Sequence, residues 1–349
     1  MRVLVIGASG YVGSRVVPAV LATGGTVRAG ARDPLSLQRF WWHDSVETTE
    51  VDVTDGDTLP AALDGVDVVI YLVHGMRSAD FREVDLAAAH EVRHAVDESS
   101  ASRLVYVSGF VPDCAPHELS EHLLSRWEVE QELSRSSRPV LTLRAGMVLG
   151  SGSTSFEVLG QLGGRLPVTV VPDWMNSRVE PVAIVDLTAA VAGAAVSELP
   201  TRSFDVGCGE VLRYPELLRL YGRITGMPRA QVTLSGLPEA VIGRIGSWLT
   251  EVPSETVAAL MESLRHDMTA RDSRWIGSLV PSGYRPLGIE RALQRAVLPA
   301  DTSVPCGDRD PMGPLPGDPG WAVAATEARR YSARGIPPGG RTRIRRRDD

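Results

Sequence analysis

The chain has 349 residues, 43% of them apolar, and a formal net charge of −7. This length allows one large domain or a domain and a half, and the acidic balance excludes a general nucleic-acid binder. Three cysteines lie far apart without C-x-x-C spacing, which favours a reducing compartment over a zinc or disulfide motif. No stretch approaches the roughly 18 apolar residues of a membrane span. The apolar run at the N-terminus is too short for the hydrophobic region of a signal peptide. We therefore expect a soluble cytoplasmic protein that binds neither membranes nor nucleic acid.

The first 150 residues alternate between strand and helix patterns. Short apolar runs predict strands at 3–6, 26–31, 46–53, 66–73, 104–107 and 140–148, and apolar residues at helical spacing predict helices at 11–23, 81–98 and 119–135. Strands separated by helical crossovers form parallel sheets. The pattern thus predicts an α/β fold with a Rossmann-type doubly wound parallel sheet, whose domain we place at residues 1–150.

The pattern becomes less regular after residue 150. A strand entering a helix is predicted over 179–195, a short strand over 203–206, and helices over 214–225 and 254–265. We interpret residues 151–299 as a smaller lobe that forms the substrate side of the fold. From residue 300 to 349 the composition shifts to Pro, Gly, Asp and Arg, and such a segment cannot bury enough apolar surface to order itself. We expect this tail to be disordered.

A glycine-rich turn joins the first predicted strand to the first predicted helix. Its spacing is G-x-x-G-x-x-G, and the candidate binding residues are Gly7, Ser9, Gly10, Tyr11, Val12 and Gly13. Glycine permits the tight turn and a close approach of the backbone to a pyrophosphate, whose charge meets the N–H groups of the helix N-terminus. The turn predicts a dinucleotide site. The alternative is a strand–helix turn that holds no ligand.

The ends of the second and third strands bear on which dinucleotide is bound. Arg32 ends the second strand, where an arginine suits the 2′-phosphate of NADP and an acid suits the ribose of NAD; its planar guanidinium can hold a phosphate through two hydrogen bonds. Asp33 follows it. We expect NADP, with NAD less favoured, unless Arg32 is only a solvated residue. Asp52 and Val53 are candidates for the adenine, although Asp52 could equally cap local backbone.

These residues resemble the short-chain dehydrogenase/reductase superfamily, in its atypical extended branch of NmrA-like and YbjT-like NAD(P)-binding proteins. The resemblance covers roughly residues 1–300. It rests on Gly7-x-x-Gly10-x-x-Gly13, Ala31-Arg32-Asp33-Pro34, Asp52-Val53, Tyr71-Leu72-Val73-His74-Gly75-Met76, Leu119-Ser120-Glu121-His122-Leu123-Leu124-Ser125-Arg126 and Gly150-Ser151-Gly152-Ser153-Thr154-Ser155-Phe156-Glu157. It implies that Leu72 and Val73 line the cofactor cleft.

The chain departs from this superfamily at the catalytic pair. Active members use Tyr-x-x-x-Lys on the helix after the fifth strand, and a serine at the end of that strand. Here Ser108 matches the serine, His122-x-x-x-Arg126 stands in place of the pair, and all 36 basic residues are arginine. Positions i and i+4 share one helix face, so the geometry of a pair survives while the usual mechanism is excluded.

Three interpretations of Ser108, His122 and Arg126 remain open. In the first, His122 is the acid–base catalyst with a pKa near 6.5, Arg126 holds ribose or substrate, and Ser108 orients the reacting oxygen. In the second, the site binds NADP(H) without turnover. In the third, His122 and Arg126 are exposed polar residues on a helix.

The expected function follows from these interpretations. The chain is expected to bind NADP(H) and to act as an oxidoreductase or isomerase on a small carbonyl or hydroxyl compound. The alternative is a non-catalytic NADP(H)-sensing regulator or scaffold of the NmrA-like type, which would bind a protein partner. No cluster of His, Asp, Glu or Cys has the spacing of metal ligands.

Overall fold

The computed structural model describes residues 1–75, 80–165, 168–235 and 254–319. The strands are β1 (Arg2–Ile6), β2 (Thr26–Ala31), β3 (Glu47–Glu50), β4 (Val68–Tyr71), β5 (Arg103–Gly109), β6 (Val140–Ala145), β7 (Val148–Leu149), β8 (Val168–Pro172), β9 (Arg178–Val179), β10 (Val182–Ala183), β11 (Arg202–Val206), β12 (Leu212–Arg213) and β13 (Ala230–Leu234). The α-helices are α1 (Tyr11–Leu21), α2 (Leu59–Leu63), α3 (Phe81–Glu98), α4 (Glu121–Leu133), α5 (Thr154–Arg165), α6 (Ile184–Val196), α7 (Tyr214–Ile224), α8 (Ser254–Ser263), α9 (Arg274–Leu279) and α10 (Ile289–Ala296).

The central sheet has seven parallel strands in the order β11-β6-β5-β4-β1-β2-β3. Strand β1 lies between β2 and β4, where the winding direction reverses, so that Ile6 is level with Gly30 on one side and with Tyr71 on the other. In open α/β sheets, ligands bind beyond the carboxyl ends of the strands at such a reversal. The topology therefore directs attention to the end of β1.

The strands form because their side chains are apolar on both faces of the sheet. Val3, Leu4 and Val5 of β1 are 0% exposed, as expected for a parallel sheet that helices cover on both sides. One apolar cluster on one of these faces runs from Val5 in β1 through Ile184 in α6 to Phe204 in β11. The two predicted regions on either side of residue 150 therefore share a core.

The prediction of a doubly wound parallel sheet is confirmed. The predicted helix at 81–98 coincides with α3 and the predicted strand at 26–31 with β2. The predicted strand at 140–148 is divided, because β6 ends at Ala145 and β7 pairs separately with β10. The predicted lobe supplies β11, which pairs with β6 in the central sheet; the domain boundary at residue 150 stays a prediction.

The predicted disordered tail requires a correction at its start. Residues 300–319 pack against the rest of the protein: Met312 is fully buried, and Asp318 forms an ion pair with Arg15 of α1. The composition of this segment did not show these contacts, because they depend on one buried methionine and on the ion pairs of Asp318 with Arg15 and of Asp310 with Arg295. The remainder of the predicted tail, 320–349, lies outside the described residues. Among the described residues, no helix is long and apolar enough to cross a bilayer.

Candidate dinucleotide site and the cluster beside it

The turn between β1 and α1 requires two of its glycines. Gly7 has a φ of +91°, in the left-handed region that favours glycine, and its N–H donates to Gly30 O at 3.1 Å. A Cβ on Gly13 would collide with the carbonyl oxygen of Gly7. The turn and the first turn of the helix are thus in backbone contact.

Helix α1 presents an uncapped N-terminus at this turn. Gly10 is the N-cap, no side chain caps the helix, and its first turn has no acidic residue. The N–H groups of a first helical turn have no carbonyl partners within the helix, and the helix dipole adds partial positive charge there. This end of α1 is suited to a phosphate group.

Leu72 and Val73 lie against the glycine turn, as the resemblance implies. Both are half-buried, and a Cβ placed on Gly7 would be 3.1 Å from Val73 Cγ2 and 3.4 Å from Leu72 Cβ. They therefore border the glycine turn on the β4 side. Met76, the last residue of the motif that contains them, lies outside the described residues.

The residues proposed for the adenosine end lie around the ends of β2 and β3. Arg32 is exposed, and Asp33 uses Oδ1 to accept a hydrogen bond from Leu35 N at 3.0 Å. Asp52 Oδ1 accepts hydrogen bonds from the N and Oγ1 of Thr54, which together with the charge of Arg32 hold the pKa of Asp52 below its usual value although burial opposes them. Asp52 therefore has the local capping role that was the alternative to adenine binding, and it performs this role through Oδ1 alone.

Arg39 is a residue of this site that the sequence analysis missed. Its Nη2 donates to Ser9 O in the glycine turn at 2.9 Å, and its guanidinium lies 4.8 Å from the ring centre of Phe40. It is exposed and lies in the 3-10 helix that follows β2. A second arginine shortly after Arg32 was the signal that could have revealed it.

A second cluster forms beside the turn, at the carboxyl ends of β4 and β5. It contains Ser108 of β5, His122 and Arg126 of α4, and His74 after β4. Arg126 Nε donates to His122 Nε2 at 3.4 Å, the rings of His74 and His122 meet edge to face at 6.4 Å, and Arg126 Cδ would lie 3.5 Å from a Cβ on Gly109. The structure thus brings the three predicted catalytic residues to one place.

The charge of Arg126 and burial determine the electrostatics of this cluster. Burial, followed by the nearby charge of Arg126, lowers the pKa of His122 to about 3. The same charge lowers the pKa of His74 well below its usual value, although the residue is exposed to solvent. Both imidazoles are therefore neutral at pH 7, and the expectation that His122 titrates near pH 6.5 is wrong.

Three further observations bear on the interpretations of His122, Ser108 and Arg126. His122 is only 9% exposed, so the interpretation of this residue as an exposed polar side chain is wrong. The hydroxyl of Ser108 is buried and makes no hydrogen bond of standard geometry with any described residue. Arg126 is half-buried, and within the described ranges no carboxylate lies within salt-bridge distance of it. The cluster therefore offers a cation and a hydroxyl to a ligand.

Asp85, a residue of α3 that the sequence analysis did not single out, connects two parts of this cluster. Its Oδ1 accepts from Gly75 N at 2.6 Å and its Oδ2 from Ser125 Oγ at 3.2 Å. Burial raises the pKa of this carboxyl, and these hydrogen bonds oppose the rise. Asp85 ties the loop after β4 to α4, and so fixes His74 relative to Arg126.

Comparison with known proteins supports the first of these two sites. Residues 7–162 match the model of a family described as NAD(P)H-binding. This part of the chain is therefore similar to NAD(P)H-binding domains. The match includes the glycine turn, the Arg32 region and all four residues of the second cluster.

Curated relatives match about a third of the chain. A 3 beta-hydroxysteroid dehydrogenase/Delta 5-->4-isomerase of Mycobacterium tuberculosis is 32% identical over 118 residues, which are 31% of this chain and 31% of that protein. A 3-beta-hydroxysteroid dehydrogenase of Mycolicibacterium neoaurum is 29% identical over 118 residues, again 31% of each. The matched region is thus about a third of the length of these relatives.

Solved structures match the NAD(P)H-binding domain and the lobe together. A nucleoside-diphosphate-sugar epimerase from Staphylococcus aureus has a TM-score of 0.68 at 14% identity, covering 84% of this chain and 100% of its own. An NADPH-dependent quinone oxidoreductase from Escherichia coli has a TM-score of 0.67 at 16% identity, covering 84% and 98%. These structures share the fold, and together with the family match they agree with the resemblance to the extended short-chain dehydrogenase/reductase superfamily.

Proposed function

We propose that this protein binds NADP(H) and acts as an oxidoreductase on a small carbonyl or hydroxyl compound. The observation that carries the preference for NADP is the exposed Arg32 at the end of β2, next to the glycine turn. The nearby acid, Asp33, caps the following 3-10 helix through Oδ1. The names of the quinone oxidoreductase and the hydroxysteroid dehydrogenases support carbonyl or hydroxyl chemistry.

In this proposal, three groups of residues bind three parts of the dinucleotide: the pyrophosphate, the 2′-phosphate and the adenine. The N-terminus of α1 binds the pyrophosphate through its backbone N–H groups. Arg32 binds the 2′-phosphate, where a guanidinium can donate two hydrogen bonds. Val53 and the Oδ2 of Asp52 meet the adenine, since both hydrogen bonds that the structure shows for the Asp52 side chain end on Oδ1. The hydrophobic side chains of Leu72 and Val73 exclude water from the cleft on the β4 side.

The second cluster provides the groups for the reacting oxygen. NADPH, when bound, supplies the hydride. The Ser108 hydroxyl donates a hydrogen bond to the carbonyl oxygen of the substrate. Arg126 stabilises the negative charge that develops on this oxygen during hydride transfer, which is an electrostatic role typical of fixed donors in active sites. Neutral His122 accepts the Nε–H of Arg126 and so orients it. The alcohol is completed by a proton from solvent, because neither histidine is in the acidic imidazolium form at pH 7.

A second candidate function is binding of NADP(H) without turnover, as a sensor. The lowered pKa values of His74 and His122 favour it, because an efficient acid–base catalyst has a pKa near the working pH. Steady oxidation of NADPH with aldehydes, ketones or quinones supports the enzyme. Tight binding with a strong preference between NADP+ and NADPH, and no oxidation with any of these compounds, supports the sensor.

Isothermal titration calorimetry with NADP+, NADPH, NAD+ and NADH tests the assignment of NADP(H) rather than NAD(H) as the cofactor. Loss of a charge-assisted pair in Arg32→Ala should raise the Kd for NADPH by about tenfold or more and leave the Kd for NADH almost unchanged. The matched control is Arg202→Ala, which removes an exposed arginine at the amino end of β11. Equal weakening of both dinucleotides would contradict the 2′-phosphate role, and no binding to the wild type would contradict the proposed function.

A further inference from the structure

Residues 310–318, which we name the C-terminal strap, dock on the first turns of α1. Asp318 accepts hydrogen bonds from both terminal nitrogens of Arg15, each at 2.7 Å. Met312 is fully buried, and its carbonyl oxygen accepts from Ser151 N at 2.8 Å. The strap is held at both ends, by an ion pair at Asp318 and by an apolar anchor at Met312.

The ion pair is buried and completely partnered. The side chains of Arg15 and Asp318 are 1% and 7% exposed. Arg15 also donates to Pro311 O and to Ser151 O, each at 3.1 Å. A buried pair of this kind is strongly destabilised when one partner is removed, because the other charge is left without compensation. Docking of the strap and the position of Arg15 are therefore tightly linked.

Arg15 in turn touches the residue that begins the phosphate-binding helix end. Its guanidinium lies 4.1 Å from the ring centre of Tyr11, the first residue of α1. The Tyr11 hydroxyl is buried close to Gly150, which belongs to the loop that also contains Ser151. The strap thus fixes the position of Tyr11 through Arg15.

The strap also reaches the other border of the glycine turn. A Cβ on Gly317 would lie 2.6 Å from Phe40 Cε1 and 3.4 Å from Arg39 Cγ. Arg39 is the residue that donates to Ser9 O within the turn. The strap therefore contacts the residues that flank the turn on both sides, although it lies far from the turn in sequence.

We infer that the C-terminal strap is part of the dinucleotide site, and that Asp318 is a positioning residue that acts through Arg15. This inference rests on the proposed function. The strap holds Tyr11 and Arg39 where the N–H groups of α1 and the turn can receive the pyrophosphate. Because linkage is reciprocal, a bound dinucleotide should in turn tighten the strap.

The test combines dinucleotide affinity with hydrogen exchange in the strap. Asp318→Asn should raise the Kd for NADPH about tenfold, within the usual range of coupling between two sites. In the wild type, NADPH should slow amide exchange over residues 310–318, and Asp318→Asn should abolish this slowing. The matched control, Asp97→Asn, removes a carboxylate that binds Arg93, Ser136 and Ser137 elsewhere and should change neither quantity.

A second variant keeps the inference testable if Asp318→Asn fails to fold. Met312→Ala removes the apolar anchor and leaves both charges in place, and it should weaken NADPH binding in the same direction. Faster exchange in the strap with unchanged Kd in these variants would overturn the inference and leave the strap a purely structural element. A wild type that binds no dinucleotide would instead remove the proposed function, and the inference with it.

Discussion

At the scale of single residues, His122 shows how burial changes the chemistry that a side chain offers. In the sequence it stands four residues before Arg126, which is compatible with an acid–base group near pH 6.5. In the structure it is 9% exposed and next to a permanent cation. Both effects disfavour the imidazolium, and the pKa falls to about 3. The residue becomes an acceptor for Arg126 rather than a proton donor.

This lowered pKa predicts how stability depends on pH. Below the unfolded-state pKa of about 6.5, the unfolded chain binds a proton at His122 that the folded protein does not bind until its pKa of about 3 is reached. Stability therefore falls as pH drops between these values, by about 2 kcal/mol at pH 5 from this residue. His122→Gln should lose that much less free energy of unfolding between pH 7.5 and 5, measured in urea.

The control for this prediction is His94→Gln. The His94 side chain is 59% exposed, beside Glu98 on α3, and its removal should leave the wild-type pH dependence nearly unchanged. The lowered pKa of His74 adds to the wild-type loss in the same direction, so the slope should be reduced in His122→Gln and not eliminated. An identical pH dependence in wild type and His122→Gln would contradict the buried neutral state.

At the scale of elements, the contact of α1 with the glycine turn determines the site. The pattern of strand, three glycines and helix predicted the turn correctly, because a left-handed residue and a close backbone approach can be recognised from the glycines alone. Arg39 was not predicted, since its contact with Ser9 depends on the path of the 3-10 helix after β2. Neither could the sequence show that Asp33 and Asp52 accept local hydrogen bonds.

Gly13→Ala tests this contact at the level of the helix. Alanine is the better helix former by about 1 kcal/mol, but here its Cβ meets backbone atoms of Gly7 and Ala8 that cannot move aside. We expect a net loss of about 1–3 kcal/mol, as for overpacked sites, together with loss of dinucleotide binding. Urea denaturation and isothermal titration measure the two effects.

The matched control lies in α9. A Cβ on Gly277 would meet nothing within 4 Å, so Gly277→Ala should raise the free energy of unfolding by up to about 1 kcal/mol through helix propensity alone. If Gly13→Ala proved as stabilising as Gly277→Ala, the close packing of α1 on the turn would be wrong.

At the scale of the whole molecule, the region after residue 150 completes the first region rather than standing beside it. Strand β11 pairs with β6 from Arg202 to Val206, and α6 packs on α1 within one apolar cluster. A core that is shared in this way favours a single cooperative unfolding transition. The predicted boundary at residue 150 would then separate two parts of one folding unit.

Phe204→Ala tests this cooperativity. Phe204 is 2% exposed in β11, and such a truncation costs about 3–5 kcal/mol. We expect native-state hydrogen exchange to accelerate by the same factor in β1 and β5 as in β11. The control is Leu234→Ala on β13, whose side chain is 41% exposed and whose removal should leave these rates unchanged. Acceleration confined to β11 and its neighbours would show two independent units.

The sequence by itself determined the parallel sheet, helix α3 and the glycine turn, because each depends on local patterns: apolar periodicity, short buried runs and glycine spacing. Only the tertiary structure decided the contacts of the C-terminal strap and the protonation of His122. Arg15 and Asp318 are 303 positions apart, and no local pattern links them. The pKa of His122 depends on desolvation and on the charge that surrounds it, which exist only once α4 packs against the ends of β4 and β5.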